Sequence, residues 1–396
     1  MKRPWVVIAS AAAIVTLAMG VRQAFGLFLP PMSVELGIGR ADFGLAVAIS
    51  NLVFGLAQPI VGALADRHGA GRVVLAGTLV YVAGLIGASW AGSALGLHLT
   101  FGLMVGLAMS ATTFVVVLGA VGRVVPAERR GLAFGIVTAG GSLGQFLVVP
   151  GAQMLLSEVG YRLALIALAG LVAVCAALAI GVAGKPAGGA QAGPGQSLGE
   201  ALNEAAGHRG FWLLNAGFFV CGFQLVFIAT HFPAYLDDHG LGLGIGASAL
   251  ALIGLFNIFG SYLFGLAGDF WRRKYVLSGI YVARAVVTAA FLALPLTAGT
   301  ALGFAAVMGF LWLGTVPLTS GLVGQIFGVR YLSTLYGIVF LSHQVGSFFG
   351  AWVAGYVYDR SGSYDAVWAA SILLAIAAAL LHLPIRDAAV RRTQAA

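Results

Sequence analysis

The stretch GALADRHGAGR, residues 62–72, places one aspartate, one histidine and two arginines in a short loop between two long apolar runs. A related stretch, GLAGDFWRRK, occupies residues 265–274 and again separates two apolar runs. Gly62 and Asp66 lie 203 residues before Gly265 and Asp269. This repeated spacing indicates that the chain contains two copies of one structural unit.

Further residues on both sides of these loops repeat at nearly the same spacing. Offsets of 202 or 203 residues relate Pro30 to Pro233, Gly37 to Gly240, Gly135 to Gly337, Gly144 to Gly346 and Gly160 to Gly362. Two homologous halves in a membrane protein typically hold a polar pathway at their interface, and one half rocks on the other to expose it to each side.

The composition is that of an integral membrane protein. Of the 396 residues, 60% are hydrophobic and 9% are charged, whereas soluble domains are about 25% charged. This balance excludes a soluble enzyme, a disulfide-stabilised secreted domain and a nucleic-acid binder. Cys175 and Cys221 lie within apolar runs, so we expect neither a disulfide nor a metal site. No cofactor motif is present, because the glycine-rich runs follow no strand and cannot cradle a phosphate.

Twelve apolar runs predict an all-α fold with twelve transmembrane helices in two pseudo-symmetric halves, since about 20 residues cross a bilayer. The runs are 5–31, 43–65, 73–92, 97–122, 131–156, 161–183, 211–236, 246–268, 275–295, 299–323, 333–358 and 364–385. Residues 184–210 interrupt the pattern, and Ser197 and Glu200 have the spacing of a helix capping box. We therefore predict an N-terminal half (1–183), a cytoplasmic linker with a short surface helix (184–210) and a C-terminal half (211–396).

The basic residues are distributed unevenly between the two predicted faces. Of 21 lysines and arginines, 16 fall on the side of the chain termini and three on the opposite side. Basic loops stay in the cytoplasm, so we expect both termini there, in a multi-pass monomer of a bacterial inner membrane. Anionic lipid head groups are the partner that this surplus charge implies.

Ionisable side chains within a membrane span are candidates for function because burying them is costly. No acidic residue lies mid-span, whereas Arg22, Arg284, His231 and His343 do. A buried cation without a carboxylate partner predicts an anionic substrate, and a guanidinium binds a carboxylate through two parallel hydrogen bonds. Histidine titrates near neutral pH and can carry a proton.

These residues have different expected roles. We predict that Arg22 binds the substrate and that His343 binds substrate and carries a proton. Arg284 either reaches the substrate or holds a carbonyl at a helix break, and His231 either gates the pathway or admits protons. Polar groups that could complete the substrate site are Gln145, Asn257 and Tyr336.

The loop at residues 62–72 resembles the signature between helices 2 and 3 of the major facilitator superfamily, and residues 265–274 resemble its weaker second copy. Residues 25–30 and 336–346 are similar to segments of the oxalate/formate exchanger and the monocarboxylate transporters. The resemblance covers the whole chain and implies an alternating-access transporter rather than an enzyme. It also implies a latch that stabilises the outward-open state, formed by Gly62, Asp66, Arg67, Arg72, Asp269 and Arg273.

The resemblance to the monocarboxylate transporters is incomplete at the substrate site. Those proteins carry an aspartate and an arginine four residues apart on helix 8, where this chain has Asn257 and Ser261. Their helix-1 lysine falls at Leu27, more than a helical turn from Arg22. An anion site in this chain must therefore be built differently.

These features predict secondary transport of small organic anions of the monocarboxylate kind, coupled to protons. No ATPase motif is present, so transport cannot be driven directly by nucleotide hydrolysis. The alternatives are anion exchange, efflux of amphiphilic or drug-like compounds, and a non-transporting nutrient receptor. The sign of the intramembrane charge favours an anion over a lipophilic cation, and the short tails argue against a receptor.

Overall fold

The computed structural model describes residues 4–125, 130–183, 197–328 and 332–390. The helices are α1 (Pro4–Gln23), α2 (Leu29–Leu36), α3 (Arg40–His68), α4 (Ala70–Ser89), α5 (Ala94–Leu97), α6 (Gly106–Thr112), α7 (Phe114–Val124), α8 (Arg130–Val182), α9 (Leu198–Gly207), α10 (Arg209–Asp238), α11 (Gly242–Phe270), α12 (Arg273–Ala293), α13 (Ala298–Phe310), α14 (Thr315–Phe327), α15 (Leu332–Ser361) and α16 (Asp365–His382). A 3₁₀ turn, Phe25–Phe28, joins α1 to α2, and a π-helical segment, His98–Val105, joins α5 to α6.

Eleven stretches of the described residues are long and apolar enough to cross a membrane. One of them, Ile136–Val182, has 47 residues, more than twice the roughly 20 that one crossing requires. Gly160 interrupts it with a φ of 74° and a ψ of 171°, a conformation that glycine adopts without steric cost. The chain therefore crosses twice within α8, and the expected total of twelve spans is confirmed.

The packing of α8 against α1 shows that the chain reverses at Gly160. Before the glycine, residues 140–144 follow residues 12–16 in the same direction. After it, residues 175–181 pass residues 10–14 in the opposite direction. The two parts of α8 are thus antiparallel spans, as the apolar runs on either side of residue 160 predict.

The sequence repeat is visible as a repeated helix contact. In the N-terminal half, Gly144 of α8 lies directly against the backbone carbonyl of Thr16 in α1. In the C-terminal half, Gly346 of α15 lies against the carbonyl of Phe219 in α10, which is 203 residues after Thr16. Small residues allow membrane helices to approach this closely. The glycine spacing that is repeated within the chain therefore produces the same packing geometry in both halves.

The predicted first span is interrupted before a pair of prolines. Pro30 and Pro31 have no backbone N–H, so a regular helix cannot continue unchanged through them. The 3₁₀ turn that precedes them brings Gly26 against the carbonyl of Ala229 in α10. The break therefore lies where the N-terminal half touches the C-terminal half.

Helix α9 begins with the capping box that the spacing of Ser197 and Glu200 predicts.

Gly144→Ala tests the repeated close contact. An added methyl group would meet the Thr16 carbonyl and the backbone of Gly20, and overpacking of this kind costs roughly 1–3 kcal/mol. We expect a lower melting temperature for the purified variant in detergent. Gly170→Ala is the matched control, because nothing lies within 4 Å of the methyl group it would add. Its melting temperature should stay the same or rise, and equal melting of both variants would contradict the packing argument.

Candidate substrate-binding site

Arg22 lies one residue before the end of α1 and points toward α3. Its Nη2 donates a hydrogen bond to Oδ1 of Asn51, and Asn51 donates through Nδ2 to the carbonyl of Val47 (2.9 Å), which fixes the orientation of the amide. The guanidinium carbon lies 5.9 Å from the ring centre of Phe54. Among the described residues, no carboxylate pairs with Arg22. The cation is thus positioned by a neutral amide and an aromatic ring.

His343 lies in α15 and is held mainly by aromatic contacts. Its ring stacks on Phe340, with centres 5.6 Å apart and planes inclined by 8°, and lies 4.9 Å from the ring of Phe218. Its Nδ1 makes two long contacts among the described residues, 3.4 Å to Oε1 of Gln344 and 3.5 Å to Oγ of Ser347. The aromatic contacts therefore fix the plane of the imidazole, whereas the hydrogen bonds at Nδ1 are weak.

Two phenylalanines connect Arg22 to His343 across the interface between the halves. Phe54 of α3 and Phe340 of α15 meet edge to face, with ring centres 6.3 Å apart. Arg22 lies beside the first ring and His343 stacks on the second. The structure thus brings these two predicted residues to one interface, although they do not contact each other directly.

Gln145 and Asn257 form a second polar contact between the halves. Gln145 of α8 donates through Nε2 to the carbonyl of Leu250 (2.8 Å) and accepts from Nε2 of Gln23 (3.2 Å). Asn257 of α11 donates through Nδ2 to Oγ of Ser142 (3.0 Å). Both amides hold the interface together in this conformation, so a substrate would reach them only by replacing these bonds.

Tyr336 lies one turn before Phe340 on α15. Its ring lies 6.2 Å from that of Phe218 and 6.3 Å from that of Phe340, centre to centre. Its hydroxyl oxygen is buried and has no hydrogen-bond partner in the described part of the chain. Because buried polar atoms are normally satisfied, this hydroxyl is available to a ligand or a water molecule.

Arg284 is fully buried and points from α12 into the C-terminal half. Its Nη2 donates to the carbonyls of Leu311 (2.8 Å) and Trp312, and its Nη1 lies 3.3 Å from Oε1 of Gln224. These carbonyls lie between the end of α13 and the start of α14, where the helical hydrogen-bond ladder is broken. Of the two expected roles, this geometry favours holding carbonyls at a helix break.

His231 is also fully buried, near the end of α10 that lies opposite the chain termini. Its Nε2 contacts the carbonyl of Ala351 (2.7 Å), and its Nδ1 contacts the hydroxyl of Tyr364 (3.0 Å). A carbonyl can only accept, so Nε2 carries the hydrogen and Nδ1 accepts from the tyrosine. Both ring nitrogens are therefore committed to protein partners in this conformation.

The predicted latch is only partly described. The side chains of Asp66, Arg67 and Asp269 lie outside the described residues. Gly62 packs near Val115, Arg72 is exposed, and Arg273 donates through Nη1 to Oε1 of Gln325 (2.8 Å). The latch remains a prediction.

The neighbouring Arg272 binds the C-terminal segment that follows α16. Its Nε and Nη2 donate to the two carboxylate oxygens of Asp387 at 3.0 and 2.5 Å. This pairing lowers the pKa of the Asp387 carboxyl. The end of the described chain is thereby fixed to the loop that carries the second signature copy.

Several residues at the site were not predicted from the sequence. Asn51 orients Arg22, and Phe54 and Phe340 complete the path to His343. Asn51 is a polar residue within an apolar run, which is a usable signal. The two phenylalanines carry no such signal in a chain that contains 25 of them.

A polar and aromatic site at the junction of two repeated six-helix halves is typical of membrane transporters. Comparison with known proteins identifies the family. The Major Facilitator Superfamily matches residues 11–351 of this chain. The chain belongs to that superfamily, and the expectation drawn from residues 62–72 is confirmed.

Individual relatives and solved structures agree with this assignment. Monocarboxylate transporter 13 of Bos taurus is 28% identical over 395 residues, covering 96% of this chain and 89% of its own. Monocarboxylate transporter 11 of Mus musculus is 27% identical, covering 91% of this chain and 83% of its own. A bacterial homologue of the human lysosomal transporter Spinster, solved inward-facing and unoccupied, has a TM-score of 0.75 at 15% identity, covering 97% of this chain and 95% of its own.

Arg284→Met tests whether this arginine supports the fold. The substitution leaves the carbonyls of Leu311 and Trp312 without their donor, and hydrogen bonds to charged groups contribute roughly 1.5–3 kcal/mol each. We expect a lower melting temperature and a smaller yield of monodisperse protein. The matched comparison is Arg22→Met, which should melt close to the parent because Arg22 is half-buried with one amide partner. A stable Arg284→Met protein that has lost substrate affinity would instead assign Arg284 to the substrate.

Proposed function

We propose that this protein carries a small organic monocarboxylate across the membrane together with a proton. The observation that carries the proposal is Arg22, a cation at the interface of the halves whose partner among the described residues is a neutral amide. Membrane transport follows from the family, whereas substrate and coupling are the proposal. The carboxylate would bind the guanidinium, and the rest of the substrate would lie beside Phe54 and Phe340.

The hydrogen-bonding capacity of Arg22 supports an anionic ligand. A guanidinium has five N–H donors in a planar fork, and Asn51 accepts one of them. The remaining donors can present two parallel hydrogen bonds to a carboxylate. A bound anion would also neutralise a charge that is costly within the membrane.

The named relatives provide independent support. Proteins that cover nearly all of this chain at 27–28% identity are called monocarboxylate transporters. Leu27, Asn257 and Ser261 stand at positions that are charged in that branch, so we assign the anion to Arg22 instead. The absence of a mid-span carboxylate in the sequence weighs against efflux of lipophilic cations.

The proposed coupling rests on His343. A bound anion favours the protonated imidazole because opposite charges attract, so substrate and proton would raise each other's affinity by the same factor. Two aromatic rings lie between Arg22 and His343, so the interaction acts over a distance rather than through a direct hydrogen bond. The second candidate mechanism is anion exchange, in which Arg22 needs a counter-substrate and no proton.

Substitution of Arg22 tests the substrate class. Counterflow into proteoliposomes with a panel of radiolabelled small carboxylates first identifies a substrate. We then expect Arg22→Ala and Arg22→Lys to weaken its binding about 30-fold or more, since losing one partner of a desolvated charge pair costs roughly 2 kcal/mol or more. Arg360→Gln is the control, because Arg360 is exposed at the end of α15. Transport by Arg22→Ala at the parent affinity would reject the assignment.

Substitution of His343 tests the coupling. We expect uptake to be faster with an acidic exterior, and His343→Gln to lose this pH dependence while it retains some exchange. His239→Gln is the control, because His239 is exposed after α10 and should leave the pH profile unchanged. A pH-independent flux that requires substrate on both sides of the membrane would favour anion exchange and reject His343 as the proton carrier.

A further inference from the structure

Arg40 joins the two halves at the face opposite the chain termini. It is the first residue of α3, and its Nη1 and Nη2 bind the two carboxylate oxygens of Asp238 at 2.7 and 2.5 Å. Asp238 is the last residue of α10. This fork of two charge-assisted bonds is geometrically specific. The pair therefore connects the ends of a helix from each half on this face, which we call the outer face.

Two further elements of the C-terminal half contact the same residue. The Arg40 guanidinium carbon lies 3.8 Å from the ring centre of Tyr358 in α15, and Nη1 also donates to the hydroxyl of Tyr364 (3.1 Å). Asp359 accepts the backbone N–H groups of Arg40 and Ala41 at 3.0 and 2.8 Å. A carboxylate at a helix N-terminus satisfies unpaired donors and opposes the positive end of the helix dipole. One turn of α3 is thus held by α10, α15 and Tyr364.

Glycines allow the backbones to meet at this point. Gly44 of α3 lies against the carbonyl of Ala351, and Gly355 of α15 lies against the carbonyl of Arg40. A side chain at either position would overlap backbone atoms of the other half. The ionic contacts and the backbone contact therefore form together, and neither can form when the halves separate on this face.

We propose that Arg40, Asp238, Tyr358, Asp359 and Tyr364 form a gate, the Arg40 clamp, that closes the pathway on the face opposite the termini. In the part of the chain that the structure describes, the other side-chain hydrogen bonds between the halves lie deeper, at Gln145 and Asn257. Substrate can pass through the outer face only when the clamp opens. The proposal does not depend on which substrate is carried or on proton coupling.

The exposure of the clamp fits a contact that must form and break in each cycle. The side chains of Arg40 and Asp238 are 15% and 26% exposed, so solvent partly screens the pair. Partly screened pairs contribute modestly, and a modest difference is sufficient to bias an equilibrium between two conformations. Tyr364 also binds His231, so the clamp is anchored in the buried part of α10.

Distances between the outer ends of the halves test the clamp. Spin labels at Val34→Cys and His239→Cys, both exposed, report this distance without substrate, and the native Cys175 and Cys221 are buried. We expect Arg40→Gln and Asp238→Asn each to raise the ratio of open to closed outer face about tenfold, as loss of about 1.4 kcal/mol would do. The double variant Arg40→Asp with Asp238→Arg should recover part of the closed population.

Two further variants separate the clamp from general effects of charge. Arg162→Gln removes an exposed arginine that pairs with Glu35 within the N-terminal half on the same face, and it should leave the distances unchanged. Gly44→Val should open the outer face through backbone overlap, with every charge retained. Unchanged distances in Arg40→Gln would overturn the clamp, with an open outer face in Gly44→Val showing that the labels report the motion. That result would leave the Arg22 proposal standing, just as failed carboxylate transport would leave the clamp standing.

Discussion

Every backbone N–H and C=O group within a bilayer must be hydrogen-bonded inside the protein, because lipid offers no partner. A broken helix is therefore stable where other groups of the protein, such as side chains, form the missing hydrogen bonds. Between α13 and α14, Arg284 donates to the carbonyl of Leu311 and Asn257 accepts from the N–H of Leu313 (3.0 Å). Asn257 also bonds to Ser142 of the other half. Completion of a broken helix thus brings polar groups to the interface between the halves.

Backbone packing and side-chain contacts contribute differently within the halves and between them. Within each half, glycines such as Gly144 and Gly346 bring helix backbones into direct contact, and such packing does not deform continuously. Between the halves, glycines also bring backbones together, at Gly26 and Gly44, and the side-chain contacts near the centre are an edge-to-face pair of phenylalanines and a few amide hydrogen bonds. Rocking of one half on the other, which alternating access requires, would break these contacts and leave the packing within each half intact.

Patterns local in the sequence predicted most of the fold. Apolar runs gave the twelve spans, the constant offset gave the repeat, and the spacing of Ser197 and Glu200 gave the start of α9. Contacts between distant residues could not be predicted in this way. The partners of Arg40 lie 198, 319 and 324 residues away, and the direction of Arg284 depends on how α12 is rotated in the bundle. A charge in an apolar run identifies a residue of interest, but only packing decides whether it faces a pathway or a helix break.

The repeat itself indicates where the two halves differ in chemistry. At the offset of 203 residues, Arg22 corresponds to Leu225 and Arg284 corresponds to Tyr81, and at 202 residues His343 corresponds to Gly141. Tyr81 donates its hydroxyl to the carbonyl of Ala18 (3.1 Å), so the equivalent position in each half stabilises the backbone of its own half by a different group. Packing positions such as Gly144 and Gly346 are shared, whereas the cation and the imidazole at the interface each occur in one half only. Under the proposed coupling, substrate and proton are chemically different, and their sites would lie where the repeats have diverged.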